Sequence, residues 1–199
     1  MKVLFASNNK GKIKEVAEIL SDLVEVISLN DLKIDYDVLE SKETFEENAL
    51  KKAIEISNIS GIPTIADDSG IMIPELNNWP GVYTKRLDKN NIGENMSDEE
   101  RNMYIIQKCK NLEKRDIVWN TVIALCIPQK NTIKTFNGKI IGKIPKLPYG
   151  NNGFGFDSIF ELEGCKTIAC LTTEEKNKIS PRKIALEKLK DYLIEYKLL

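Results

Sequence analysis

The sequence predicts an α/β fold: a mixed central sheet with flanking helices, arranged as two lobes with a cleft between them. Three observations lead there. Short apolar runs alternate with helix-spaced segments through the first third of the chain. Two longer strand patterns, 116–127 and 132–141, then follow one another directly around Pro128-Gln129-Lys130-Asn131. Finally, 199 residues are ample for one core, and no long linker or internal repeat divides them. Residues 1–199 are therefore expected to form a single two-lobed domain.

Each element has a local reason. Lys2 to Ala6 reads as a short buried strand. Ser7-Asn8-Asn9-Lys10-Gly11-Lys12 is a polar turn, and Ile13, Val16, Ala17, Ile19 and Leu20 then keep helical spacing. Residues 23–29 suit a second strand. Thr44 caps a helix with Glu47 in the capping-box place. Phe45, Ala49, Ala53 and Ile56 give that helix one apolar face, and Gly61 ends it. The apolar run 62–66 is expected to stop at Asp67-Asp68-Ser69-Gly70. Residues 77–95, rich in Asn, Gly and Pro, read as loop. Ser97 and Glu100 open a helix that reaches Lys110. After the two long strands, 145–155 reads as loop and 156–160 as a strand. A last helix starts at Pro181, which suits the first helical position, and carries Ile184, Leu186, Leu189 and Leu193.

Composition removes several function classes. Lys plus Arg total 29 and Asp plus Glu total 30, a net charge of −1. That balance argues against a phosphate-tracking surface, so no nucleic-acid partner is expected. No window approaches the ~18 apolar residues of a membrane span, and the first residues carry no secretory pattern. A cytoplasmic protein is expected. The chain has no histidine, which excludes Ser-His-Asp and Cys-His catalysis and every His-based zinc site. Cys109, Cys126, Cys165 and Cys170 read as reduced and mostly core. A metal would then be held by oxygen, which favours Mg2+ or a similar hard cation.

Five places could carry chemistry. The turn Ser7–Lys12 offers backbone N–H groups, amides and positive charge, suited to phosphate oxygens or simply to solvent. Asp67 and Asp68, adjacent acids after an apolar strand, could bind a hard cation, take a proton from water, or cap the next element. Asn48 and Lys52, four apart, share a helix side, as do Glu47 and Lys51; surface ion pairing is the simplest reading. In Asn151-Asn152-Gly153-Phe154-Gly155-Phe156-Asp157, glycines permit close backbone approach. Phe154 or Phe156 could stack on a base, or both could be core. Arg182 falls in a first helical turn, where a cation opposes the helix dipole; that cost hints at a ligand or a carboxylate partner.

Taken in order, these motifs resemble the inosine triphosphate pyrophosphatase family across nearly the whole chain. Those that carry the resemblance are Ser7–Lys12, Thr44-Phe45-Glu46-Glu47-Asn48-Ala49 with Lys52-Ala53, and Ala66–Gly70. Pro80-Gly81-Val82-Tyr83, Gly153–Asp157, Leu171-Thr172 with Glu174-Glu175-Lys176, and Ser180-Pro181-Arg182 complete the set. The resemblance implies a two-lobed, usually homodimeric α/β enzyme enclosing a nucleotide-binding cleft. It implies Mg2+-dependent conversion of ITP, dITP and XTP to the monophosphate and pyrophosphate. Ser7, Asn8, Asn9, Lys10, Gly11 and Lys12 would then hold the triphosphate, with Lys52 adding positive charge; Lys85, where relatives carry either a small residue or a phosphate-side lysine, reads as a phosphate contact or as a plain surface lysine. Glu40 and Asp68 would be the metal-linked carboxylates, and Asp68 the proton acceptor. Ser69 would contact the nucleotide. Phe154, Gly155, Phe156, Asp157, Lys176, Pro181 and Arg182 would form the base and sugar end, Arg182 donating to the purine 6-oxygen. The chain departs from the family pattern at Pro181, where many members have histidine, at Phe156 for a common tyrosine, and at Ser158 for a common proline. Two other readings remain: a pyrophosphatase for other modified nucleotides, and a non-catalytic nucleotide-binding regulator.

Overall fold

The computed structural model describes residues 2–36, 38–164 and 166–196; Cys165 lies outside them. In chain order it contains β1 (Lys2–Phe5), α1 (Lys10–Leu20), β2 (Glu25–Ser28), α2 (Phe45–Ser60), β3 (Thr64–Ile73), β4 (Trp79–Pro80) and α3 (Asp98–Lys108). Then come β5 (Asp116–Ile127), β6 (Thr132–Lys143), β7 (Glu161–Leu162), β8 (Lys166–Thr167), α4 (Thr173–Ile179) and α5 (Pro181–Glu195). The hydrogen-bonded strand order is β2-β1-β3-β5-β6-β7-β8, with β4 also paired to β3. β1 runs parallel to β2 and β3, whereas β4, β7 and β8 pair antiparallel. The sheet is mixed, as the sequence predicts.

The chain forms two compact units. The first comprises Met1–Ser69, Thr121–Gly138 and Pro181–Leu199. Its core joins Val3 and Phe5 of β1, Val16 and Leu20 of α1, Ile65 of β3, Ile123 and Leu125 of β5, and Leu186, Leu189 and Leu193 of α5. Each such side chain contributes roughly 1.5–3 kcal/mol by leaving water. Gly138 of β6 lies against α5 so closely that a Cβ would meet the Pro181 carbonyl oxygen at 2.0 Å. The second unit comprises Gly70–Asn120 and Lys139–Ser180, around Ile71, Ile73, Ile105, Ile117, Ile159 and Phe160. In it the Thr84 hydroxyl accepts from the Ile71 N–H at 2.9 Å and donates to the Gly81 oxygen at 2.6 Å, tying the Pro80–Tyr83 segment to β3.

Local signals place most ends. Thr44 caps α2 by accepting from the Glu47 N–H, and Gly61 closes it in the left-handed conformation at φ 66°. The Glu47 carboxylate accepts a hydrogen bond from the Thr44 hydroxyl at 2.9 Å. Ser97 and Glu100 form a reciprocal capping box on α3.

Two expectations are corrected, and one helix is added. The strand expected over 62–66 does not stop at the acids; β3 continues through Asp67-Asp68-Ser69-Gly70 to Ile73. Cations on Asp67 let an acid sit inside a buried strand, a compensation that local sequence does not display. Residues 156–160 are not a strand: Gly153 and Gly155 have positive φ, and residues 157–159 form a single 3-10 turn. Thr172 and Glu175 form a second capping box that starts α4, a helix the charged run 174–178 concealed.

Candidate active site

The turn after β1 is first of all a helix cap. Asn9 accepts from the Gly11 and Lys12 N–H groups at 3.0 and 3.1 Å, and Ser7 Oγ accepts from the Asn9 N–H at 3.2 Å. Asn8, Lys10 and Gly11 are exposed. The turn thus sets the direction of α1, which delivers Lys12 to β3.

Asp67 is the hub. Its side chain is 2% exposed, and Lys12 Nζ lies 2.9 Å from Oδ2 and 3.2 Å from Oδ1. Arg182 Nε and Nη2 donate to Oδ2 at 3.2 and 3.0 Å, while Arg182 Nη1 reaches Glu15 Oε2 at 2.6 Å. Burial would raise the Asp67 pKa, but Lys12, Arg182 and Lys52 outweigh it and hold the carboxyl well below the usual range. The carboxylate partner hinted at by the position of Arg182 is therefore present twice.

Asp68 differs from its neighbour. Oδ1 accepts from the Ser69 N–H at 3.0 Å, but Oδ2 is buried and has no hydrogen-bond partner among the described residues. Burial raises its pKa from 3.8 to about 6; Lys52 opposes the rise, and the charges of Glu40 and Asp67 add to it. Asn48 also pulls it down, although Oδ2 gains no bond of ordinary geometry from that amide.

Helix α2 supplies the rest of this group. Lys52 Nζ lies 2.6 Å from Glu40 Oε1. Burial lowers its pKa, yet Asp67, Asp68 and Glu40 raise it further, so it stays charged. Buried Asn48 accepts from the Lys42 N–H at 3.0 Å, and Lys51 Nζ donates to the Leu39 oxygen at 2.7 Å. The face that read as surface ion pairing instead anchors the loop bearing Glu40. An orphaned carboxylate oxygen on Asp68, with Glu40 nearby, fits a hard divalent cation. Among the described residues, no group of three or more acidic or cysteine side chains could hold a metal.

In the second unit, Phe154 is 75% exposed, whereas Phe156 packs on the core. Lys176 Nζ sits 4.3 Å from the Phe154 ring centroid and bonds Asp157 Oδ2. That same oxygen accepts from the Phe154 N–H at 2.9 Å. A Cβ on Gly153 would lie 2.0 Å from Asp157 Oδ2, so this position requires glycine. Lys85 is exposed. Pro181 is buried at the start of α5, and Arg182 follows it in the first unit, while Lys176 belongs to the second. The sequence reading overlooked Glu15, and it did not single out Asp67 over Asp68 as the charge hub. The hint at Arg182 was the signal that could have led to both.

Known proteins resemble the chain along its length. A model of the Ham1 family matches residues 3–192. A dITP/XTP pyrophosphatase of Geobacter sulfurreducens is 41% identical over 196 residues, 96% of each chain. One from a Thermoanaerobacter species is 40% identical over 200 residues, 98% of each. The solved Ham1 protein of Staphylococcus aureus superposes with a TM-score of 0.89 at 37% identity, covering 98% of this chain and 100% of that one. The Ham1 protein of Coxiella burnetii gives 0.90 at 35% identity, covering 98% and 99%.

Proposed function

The chain belongs to the Ham1 family, and on that premise we propose that it is a nucleoside triphosphate pyrophosphohydrolase. It converts ITP, dITP and XTP to the monophosphate and pyrophosphate, clearing non-standard purines from the nucleotide pool. The observation that carries this reading is Asp68: a buried carboxyl with one unbonded oxygen, flanked by the cation Lys52 and the acid Glu40.

The chemistry follows from those groups. Water attacks the α-phosphorus, the bond from that phosphorus to the bridging oxygen breaks, and pyrophosphate leaves with the electron pair. Asp68 takes the proton of the attacking water; a carboxyl with a pKa of about 6 is ionised at neutral pH yet basic enough for the task. Little covalent help is needed beyond alignment and charge stabilisation. Asp68 and Glu40 would hold Mg2+, which when bound neutralises charge on the phosphate oxygens. The Ser7–Lys12 turn, Lys52 and Lys85 meet the triphosphate, and Ser69 meets the nucleotide. Phe154, Gly155, Phe156, Asp157, Lys176 and Pro181 take the base and sugar.

Arg182, oriented by Asp67 and Glu15, donates to the 6-oxygen of hypoxanthine or xanthine. Adenine places an amino group there, so donor would face donor. A mismatch of that kind rejects a base by orders of magnitude. Cytoplasmic location and a homodimer complete the reading; light scattering tests the dimer.

The test is a rate panel with ITP, XTP, GTP and ATP, following pyrophosphate and orthophosphate with and without Mg2+. Mg2+-dependent pyrophosphate release, faster from ITP and XTP than from ATP, is expected. Orthophosphate release, or no turnover of any triphosphate, overturns the reading.

A further inference from the structure

The exposed Phe154 loop needs something to hold its shape, and helix α3 does so at one residue. Asp98 and Asn102 are four apart on α3, one above the other on one face. Asp98 Oδ2 accepts from the Gly155 N–H at 2.8 Å, and Asn102 Nδ2 donates to the Gly155 carbonyl oxygen at 2.8 Å. Both polar groups of Gly155 are thus gripped by successive turns of one helix. Asn102 Nδ2 also donates to Ser158 Oγ at 3.1 Å, at the far end of the turn. Phe154 immediately precedes the first attachment, and Phe156 and Asp157 lie between the two.

The helix end is itself braced. Asp98 pairs with Arg101, whose guanidinium also donates to the Gly93 oxygen at 3.2 Å. The Ser97–Glu100 capping box fixes the first turn. Asn102 is buried, and its Oδ1 has no partner among the described residues. A buried amide that leaves one acceptor unsatisfied is kept at a cost. Here the amide restrains a glycine at φ 64°, which would otherwise be the freest point of the loop.

We propose that Asp98 and Asn102 are positioning residues for base selection, locking Gly155 so that Phe154 presents its ring in one orientation. This rests on the reading of the Phe154–Asp157 loop as the base end of the site. Neither residue touches the nucleotide. A rigid platform loses little freedom when a base stacks on it, and it discriminates among bases more sharply than a mobile one.

Steady-state kinetics of three variants test the idea with ITP and ATP. Asn102→Ala is expected to raise KM for ITP about tenfold while kcat stays within about twofold. It is also expected to lower the ITP-to-ATP ratio of kcat/KM by about tenfold. Asp98→Ala acts on an exposed side chain and guards against misfolding; it should shift the same ratio in the same direction. Asn102→Asp keeps the size but loses the donor, so it should behave like the alanine variant. Phe154→Ala tests the underlying reading separately. If Phe154→Ala moves KM and selectivity while the α3 variants leave both at parental values, the positioning role is overturned and the base-end reading stands. If Phe154→Ala changes neither, the base-end reading itself fails. Lower melting temperatures for the α3 variants with unchanged KM and selectivity would show a structural role only, and also overturn the proposal.

Discussion

Adjacent acids, Asp67 and Asp68, are driven to opposite titration behaviour by their neighbours. Asp67 faces Lys12 and Arg182 and stays ionised far below its ordinary pKa of 3.8. Its stabilising contribution is present above that value and disappears as the pH falls below it. Asp67→Ala leaves Lys12 and Arg182 without their shared carboxylate and is expected to cost about 3–5 kcal/mol in chemical denaturation. Asp68 runs the other way: folding favours its protonated form, so its contribution is complete below 3.8 and is lost as the pH rises through about 6. For catalysis, kcat/KM should fall on the acid side of about pH 6, and Mg2+, which favours the carboxylate, should move that limb downward. Asp68→Asn should lower kcat by about 100-fold or more, with a smaller change in nucleotide affinity by calorimetry. Arg182→Ala should erode the preference of ITP over ATP; an unchanged ratio would exclude it from base reading.

At the level of elements, Gly138 decides how closely β6 and α5 approach. Gly138→Ala drives a methyl into the Pro181 carbonyl and the Ala185 backbone nitrogen. A loss of about 3 kcal/mol is expected from the denaturation midpoint, since neither backbone can move independently. Thr44→Ala, which removes the α2 cap, should cost about 1 kcal/mol. Elements with a strong local signal were legible in the sequence: α2 from Thr44 to Gly61, α3 from Ser97, β5 and β6 around Pro128. The failures were of two kinds: the course of β3 is set at long range, whereas the turn at 157–159 and the start of α4 are set locally by bonds three residues apart. The extension of β3 through Asp67 and Asp68 depends on Lys12 and Arg182, whose side chains come from α1 and α5. The turn at 157–159 depends on Asp157 bonding back to Phe154. For the candidate site, the residue types were legible but their partners were not. Nothing in the spacing told that Lys51 would hold the Leu39 carbonyl, or that Asn102 would reach Gly155.

For the molecule as a whole, a near-neutral net charge with cations gathered at Asp67 suits a small polyanion better than a long one. Mg2+ with a non-hydrolysable ITP analogue at a hundred times its Kd should stabilise the fold by about 2.7 kcal/mol, seen as a higher melting temperature. The first unit is assembled from the start, the middle and the end of the chain. Its core sets Val3 and Phe5 against Leu186, Leu189 and Leu193. During synthesis, then, β1 has to wait for α5, which is made long after it. A message broken before codon 181 should yield a polypeptide that proteases clear, rather than half an enzyme.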